Sequence, residues 1–457
     1  DVKKLLESLA GLIGEAEEAG DGLYALNVFG QEIVVKEVNK WAIVAQTLEA
    51  VTAAPAEPAT LLAGMDTSYD VAIRLYVQNI PEVYRSLAID QLRMGVESGL
   101  GRMPDEDDKQ YEARRAITEK QLDALTTAIN DVDQLTLGAA VDIAAKTAHI
   151  DLSISAVPGS KSAKQMAQMK AVPSSFAGFV SPDAAASLNI TTEIAKDDAS
   201  QIAAALTTIR SSAMDHIENE SKLEDEGSKQ LAKEMLSEVF DALEATLESG
   251  KIDAAATLNL SDKSMALAVG AYIAEPQKLE DALKKFAKLA EGKEDFPGIK
   301  FDADKHGDIR FHTASIPVPQ DKSIAKVLGE KLDVAVGIGP KSVYLALGTD
   351  SLPMLKGLID KSKGVSTPLP PLQLNVALTP VFQFATAMQA EEDRDKLKVW
   401  SDELAKAAGK DKVTLVVKPE EAGLTIRLEA QEGVLRLLAN VGKMVTGAGG
   451  AGFPGAQ

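Results

Sequence analysis

Hydrophobic residues along this chain alternate between a period of two and a period near four, and the order of those switches recurs. In a first copy Val71, Ile73, Leu75 and Val77 alternate with Ala72, Arg74, Tyr76 and Gln78, which predicts a strand with one buried face. Pro81 suits the first turn of a helix, where its missing N–H costs nothing, and helices are predicted over about 81–99 and 109–130. A hairpin follows, with Leu135, Leu137, Ala139, Val141 and Ile143 on one face, then Ala148, Ile150, Leu152 and Ile154. A short helix near 161–170 closes the copy.

A third copy repeats this order. Leu372, Leu374, Val376 and Leu378 share a strand face, and Thr379-Pro380 reads as an N-cap followed by an N1 proline. Helices are expected at about 380–390 and 393–408, a hairpin through Val413, Leu415, Val417 and Leu424, Ile426, Leu428, and a helix over 432–445. The second copy has a strand with Leu188, Ile190 and Ile194, and helices near 198–218 and 228–248. Its hairpin carries Ile252, Ala254, Ala256, Leu258, Leu260 and then Met265, Leu267, Val269. The helix after it keeps Leu279, Leu283, Phe286 and Leu289 on one stripe.

Before copy three come a helix at 277–291, strands at 299–304 and 308–315, and a hairpin Val334–Ile338/Val343–Leu347. The N-terminus offers a similar series: an amphipathic helix with Val2, Leu5, Leu6, Leu9, Leu12 and Ile13, then strands at Gly22–Val28, Ile33–Val35 and Trp41–Ala45. The expected organisation is therefore an N-terminal domain over 1–172, a C-terminal domain over 173–445 holding two copies, and a Gly/Ala-rich tail over 446–457. Copy two has no upstream counterpart, so the reading expects a precursor with roughly one more unit, on the order of 100 residues, before Asp1. The tail is expected to dock on its own domain or a neighbouring subunit through Phe453, its one sizeable anchor.

Every hairpin reads apolar on one face and polar on the other, so each sheet needs cover on one side only. The fold class expected is α+β, with antiparallel sheets built from β-hairpins and covered on one face by amphipathic helices, in internal repeats of strand, helix, helix, hairpin and helix.

Composition narrows the function classes. A formal net charge of −20 disfavours nucleic acid, since the acids and lysines of stretches such as Lys278–Lys288 alternate as on a solvated helix face and form no basic patch. With no cysteine there is no thiolate catalysis, disulfide, iron–sulfur or cysteine-zinc chemistry. No apolar run is long enough to cross a bilayer.

The candidate chemistry is sparse. His149, His216, His306 and His312 lack the one-turn spacing of a zinc helix; His149 and His312 fall on the polar register of their strands beside Asp151 and Arg310, and all read as surface residues. The acid-rich loop Asp302–Asp308 lacks the EF-hand spacing, and Lys305 opposes a divalent ion, so it reads as a hairpin turn. Pro104-Asp105-Glu106-Asp107-Asp108 reads as a solvated linker that charges the start of a helix. Gly447-Ala448-Gly449-Gly450-Ala451-Gly452 matches a dinucleotide fingerprint in letters but follows a helix instead of a strand. Gly339-Pro340-Lys341-Ser342 imitates a phosphate loop between two strands and reads as a turn. Ser160, Lys161, Ser162 and Lys164 suggest a Ser-Lys pair, but helix capping explains the same residues. Trp41 and Trp400 read as core anchors. The expectation is no catalytic, cofactor-binding or metal residues, and no cofactor.

Several segments resemble a known group: Val343-Tyr344-Leu345-Ala346-Leu347-Gly348 before a helix, Ala156-Val157-Pro158-Gly159-Ser160 leading into one, and Ser175-Phe176-Ala177-Gly178-Phe179 followed by Pro182-Asp183-Ala184. They are similar to large exported proteins of unknown function, abundant in planctomycete bacteria and built from such repeats. The resemblance covers most of the chain in pattern, through loose motifs with no catalytic residues to transfer. It implies a signal peptide and an extracytoplasmic location. Two readings follow. The first is a non-enzymatic exported structural or interaction protein, self-associating or joining an envelope or extracellular assembly, with a protein partner or second copy meeting an open sheet edge. The second is a carrier binding an apolar small molecule between sheet and helices.

Overall fold

The computed structural model describes residues 2–28, 30–39, 41–62, 64–102, 108–219, 225–293, 296–318, 329–388, 400–404, 406–407 and 409–448. The chain divides into two compact units, Asp1–Ala72 and Ile73–Gln457.

In the first unit, helix α1 (Val2–Ile13) precedes an antiparallel meander of β1 (Glu17–Gly20), β2 (Leu23–Val28), β3 (Gln31–Val38) and β4 (Trp41–Ala45). Its core is Val2 and Leu6 from the helix against Tyr24, Leu26 and Val35 from the sheet. Three short helices follow, α2 (Leu48–Thr52), α3 (Ala59–Leu62) and α4 (Met65–Ser68).

The second unit is organised on a 13-stranded antiparallel sheet. It begins at Ile73, within β5 (Val71–Tyr76), and continues with α5 (Glu82–Gly99), α6 (Asp108–Asp131), the hairpin β6 (Val132–Asp142) and β7 (Thr147–Ala156), and α7 (Lys161–Met166). After a short strand β8 (Val172–Pro173) come β9 (Ala186–Glu193), α8 (Lys196–Asn219), α9 (Glu226–Glu248), the hairpin β10 (Lys251–Leu260) and β11 (Met265–Tyr272), and α10 (Pro276–Ala290). The chain continues through β12 (Lys300–His306), β13 (Ile309–Pro317), β14 (Lys331–Ile338), β15 (Ser342–Gly348), α11 (Ser351–Ser362), β16 (Pro368–Leu369), β17 (Leu372–Ala377) and α12 (Leu378–Met388). The hairpin β18 (Lys412–Glu420) and β19 (Gly423–Gln431) and helix α13 (Glu432–Ala448) complete it.

The strand order is β12-β13-β14-β15-β11-β10-β9-β17-β18-β19-β7-β6-β5. Antiparallel pairing of β19 with β7 carries the sheet across position 172, so the contacts do not divide at the expected 172/173 boundary. The pairing joins Leu428 to Ile150, too far apart in sequence for local periodicity to report. The predicted tail begins inside α13, which runs to Ala448, because the 3.6-residue pattern of the helix outlasts the first of the small residues. The rest of that segment, with the proposed docking of Phe453, lies outside the described residues.

The register of the sheet resolves its two faces. Directly opposed residues point the same way. One row runs His312, Val336, Leu345, Val269, Ala256, Leu188, Leu374, Leu415, Leu428, Ile150, Ala139, which is aliphatic apart from its first member. The other face changes character along its row, from Phe311, Gly337, Tyr344, Gly270 and Ala255 to Asn189, Gln373, Val416, Arg427 and Asp151.

Helix α11 lies on the second face, where Leu355, Leu358 and Ile359 pack with Phe176, Phe179, Ala268, Phe311, Tyr344 and Ala346 in the principal core. Gly270 is required there: a Cβ on it would stand 2.5 Å from the Phe176 ring. Helix α10 lies on the first face, beside Val334 and Val336. Helices thus cover both faces in this part of the sheet, a correction to the expected one-sided cover. The physical reason is that Ala and Gly on the second face (Ala255, Ala268, Ala346, Gly270) let aromatic side chains and a helix approach closely.

The expected apolar-in, polar-out rule is also reversed over much of the sheet. Ser187, Asn189, Thr191, Asp253, Thr257, Asp151 and Thr425 are buried. By contrast Leu137, Ile150 and Leu428, predicted to point inward, are exposed at 52%, 50% and 44%, as are Ile73 and Leu75 on β5. Part of the polar face is paired in burial, Arg427 Nε and Nη2 each donating to Asp151 at 2.7 Å and Ser174 Oγ to Asp253 at 2.5 Å, while Asn189 Oδ1 and Thr191 Oγ1 are buried without a hydrogen-bond partner.

Candidate functional site

The chemistry of the molecule concentrates where α10 crosses β13 and β14. Proline at the start of α10 and the stripe Leu283, Phe286, Leu289 set the helix and its apolar side. Lys278 pairs with Asp241 at 3.4 Å and Lys285 with Glu238 at 3.1 Å, and Arg210 reaches Asp241 at 2.7 Å, so α8, α9 and α10 are tied together. Leu283 and Phe286 line a cleft of about 240 Å3 together with Ala314, Ile316, Val334 and Val336, and Phe296, Pro297, Ile299 and the polar Thr313 also belong to its lining. Phe286 and Ile316, exposed at 44% and 42%, form its rim. Phe286 and Phe296 meet edge to face, 5.8 Å between centroids.

His312 belongs to the wall of this cleft and is 1% exposed. This corrects the surface reading. The residue alternates with Phe311 and Thr313, but the face it occupies is the aliphatic one, and α10 covers it. Its Nδ1 accepts the Asp302 backbone N–H at 3.0 Å, so the neutral ring carries its proton on Nε2. Nε2 is buried without a hydrogen-bond partner, and the nearest acid oxygen, Oε1 of Glu280, stands 3.7 Å away. Burial lowers the pKa of His312, outweighing the attraction of Glu280 and Asp302, and keeps the ring neutral near pH 7.

Glu280 is likewise 1% exposed, a correction to the solvated-face reading of Lys278–Lys288. Burial alone pushes its carboxyl upward, but hydrogen bonds from Arg310, Lys284 and Gln277 overcome this and hold the pKa at about 2. Arg310 grips both carboxylate oxygens, Lys284 lies at 3.0 Å and Gln277 Nε2 donates at 2.7 Å. Glu280 was legible in principle: it sits three residues before Leu283 and six before Phe286, on the edge of the apolar stripe.

The other candidates stay apart from this cluster. His306 pairs with Asp360 at 2.8 Å in the turn between β12 and β13, where Gly307 has φ +59, as expected of a hairpin. His149 is half-buried beside Asp151, and His216 lies in the last turn of α8. Ser160 caps α7 by accepting from Ala163 N at 3.1 Å, and Ser162 Oγ donates to Asp131 at 2.9 Å, so the capping explanation holds. Lys161 and Lys164 lie in that helix. Gly339 to Ser342 form the β14–β15 turn, with Lys341 Nζ donating to Ala274 O at 2.7 Å. Trp400 stacks on Phe382, 6.0 Å between centroids, and Trp41 is half-buried at the start of β4. Arg102 pairs with Asp108, while Pro104 to Asp107 and Gly449 to Gly452 lie outside the described residues. Among the described residues, no three His, Asp or Glu side chains stand close enough to hold a metal ion, and no helix is long and apolar enough to cross a membrane.

Comparison with family models, curated proteins and solved structures finds no match to this chain.

Proposed function

We propose that the protein is a non-enzymatic carrier that holds an apolar small molecule between its large sheet and the helices α8 to α10. The observation that supports this reading is the apolar cleft under α10, whose Val336 belongs to the same aliphatic row as the exposed Leu345, Leu428 and Ile150. Burying polar residues on one face while leaving aliphatic ones open on the other is unfavourable without an occupant. A bound apolar molecule covers that row where it passes under α10, at Val336. Native mass spectrometry of protein purified from its source, before and after solvent extraction, tests this. The expected result is a small adduct that extraction strips, and that the neutral apolar dye N-phenyl-1-naphthylamine then replaces. A chain without adduct that takes up no dye overturns the proposal.

The second reading, an interaction protein joined to a partner or a second copy, draws support from β5. This edge strand shows Ile73 and Leu75 on its aliphatic face, exposed at 68% and 45%. Strand addition to such an edge is a general mode of assembly. Concentration-dependent mass in solution, abolished by Ile73→Lys, supports it; one mass at all concentrations counts against it. Both readings carry the extracytoplasmic location that the resemblance implies, and both are compatible with internal duplication. The order strand, helix, helix, hairpin, helix over 71–166 and again over 186–290 supports duplication.

A further inference from the structure

The large sheet ends differently at its two edges. At one edge β12 carries Lys300, Asp302, Asp304, Lys305 and His306, a break in register between Lys300 and Asp304, and a left-handed Asp302 at φ +50. Charges and bulges are the ordinary means of blunting a sheet edge. At the other edge β5 carries Val71, Ile73 and Leu75, all exposed, with Arg74 its only charged residue. One arginine, on the other face from Ile73, is little defence against strand addition.

The interior of the sheet shows what such a strand pairs with. Residues 71–166, 186–290 and 372–448 each run from a strand through helical chain to a hairpin and a helix. These stretches meet like to like. The leading strands β9 and β17 pair with each other, and so do the last hairpin strands β19 and β7, antiparallel in both cases. The remaining leading strand is β5, and it stands at the edge.

The β9–β17 pairing also gives a register. It sets Leu188 opposite Leu374, Ile190 opposite Leu372 and Ala186 opposite Val376. Leu188-Asn189-Ile190 and Leu374-Asn375-Val376 share an aliphatic-polar-aliphatic pattern with Ile73-Arg74-Leu75. The local two-fold thus passes between Leu188 and Leu374, and the matching residue of β5 is Ile73. Placed about a two-fold at Ile73, β5 opposes Val71 to Leu75 and Ala72 to Arg74 of a second copy. Asp70 then lies diagonal to the second copy's Arg74 on the same face, twice over, so the charges are complementary.

Helix α5 fits the same joint. Its counterpart α12, which follows β17, packs against β10 across the β9–β17 pair and exposes only Gln383. In α5 only Arg85, Ile89, Arg93 and Val96 are partly buried, and Val83, Leu87 and Met94 form an exposed stripe on the opposite side. The strand that corresponds to β10 beyond such a joint is β6 of the second copy.

Resting on the interaction reading, we infer that β5 pairs with β5 of a second copy of this chain about a two-fold at Ile73, and that α5 covers the second copy's β6.

The full chain has no cysteine, so a single introduced one reports contacts between copies. Directly opposed Cα atoms lie about 5 Å apart, within reach of a disulfide. On oxidation Ile73→Cys is expected to give a cross-linked pair of 48.3 kDa chains. Leu75→Cys, about 13 Å from its own copy in this register, is expected to stay unlinked alone and to link when mixed with Val71→Cys. Leu87→Glu is expected to weaken the pairing about tenfold in sedimentation equilibrium, and an unchanged constant overturns the cover by α5. A chain that sediments as a pair while Ile73→Cys links no better than Leu75→Cys overturns the joint and leaves the interaction reading standing. A native mass that contains a different polypeptide in place of the second copy does the same. A single-chain mass at every concentration, with no other polypeptide bound, removes both.

Discussion

The two ends of the thirteen-stranded sheet are built from the same hairpins and meet opposite fates. Around β11, β14 and β15 both faces are covered: α11 brings Leu355 and Ile359 onto Phe311, Tyr344 and Ala346, and α10 closes over Val334 and Val336. Around β19, β7 and β6 the aliphatic face stays open at Leu428, Ile150 and Leu137, and the better-buried side is the polar one, with Asp151, Thr425 and Thr136. Alternation therefore labels the faces of a strand without saying which is inside. What decides is the size of the opposing residues. Alanine and glycine at one end admit aromatic rings and a helix, whereas at the other end the buried Asp151 is satisfied in place by Arg427.

The largest effect that would sharpen this contrast is truncation in the covered region. Phe311→Ala, at a position with no solvent exposure, is expected to lower unfolding free energy by about 3–5 kcal/mol in denaturant titration. A loss below about 1 kcal/mol would place the core elsewhere.

Next comes the ion pair that keeps the polar face buried. Arg427→Met leaves Asp151 with its carboxylate buried and its bidentate partner gone, and is expected to cost about 3 kcal/mol. A double variant, Asp151→Asn with Arg427→Met, is expected to recover part of that loss.

Acid titration tests the α10 cluster. The Glu280 pKa of about 2 lies below its unfolded value of about 4.3, so its stabilisation is complete above pH ~4.3 and drains away as pH falls toward 2. His312 has a lowered pKa, so the unfolded chain binds a proton that the folded chain refuses. Its contribution is full above pH ~6.5 and declines as pH drops below that value. Unfolding midpoints are expected to fall from about pH 6.5 downward in the wild type, with the portion below pH ~4 removed in Glu280→Gln. A flat profile would break the account of this site.

The smallest effect is expected in the open region. Ile150→Lys, at a half-exposed position, is expected to change stability by no more than about 0.5 kcal/mol. If the aliphatic row is part of the binding surface, the same change lowers uptake of the neutral dye, read by fluorescence. A large loss of stability would mean that this face is covered after all.

Much of the fold was legible locally. The periodicity of Val413–Val417 and Leu424–Leu428 yields the β18–β19 hairpin, and the stripe through Leu279, Leu283 and Phe286 yields α10. The candidate site was not. His312 and Glu280 look like surface residues because each has polar or charged neighbours in the chain, and their burial comes from a helix and a strand meeting at Arg310. Sequence spacing reported half of that, since Glu280 borders the apolar stripe, but it had no means to show what the stripe rests on.

Taken alone, the amino-acid sequence determined the elements, their hairpin pairing, the exclusion of cysteine chemistry and the formal net charge of −20, because each depends on residue types or on contacts within a few turns of chain. The tertiary structure decided the joining of β7 to β19 and β9 to β17, the choice of which face is buried, and the meeting of His312, Glu280 and Arg310 beside an apolar cleft. These depend on contacts between segments far apart in the chain. Their energies are set by the packing and pairing found at the meeting point, which no single segment carries.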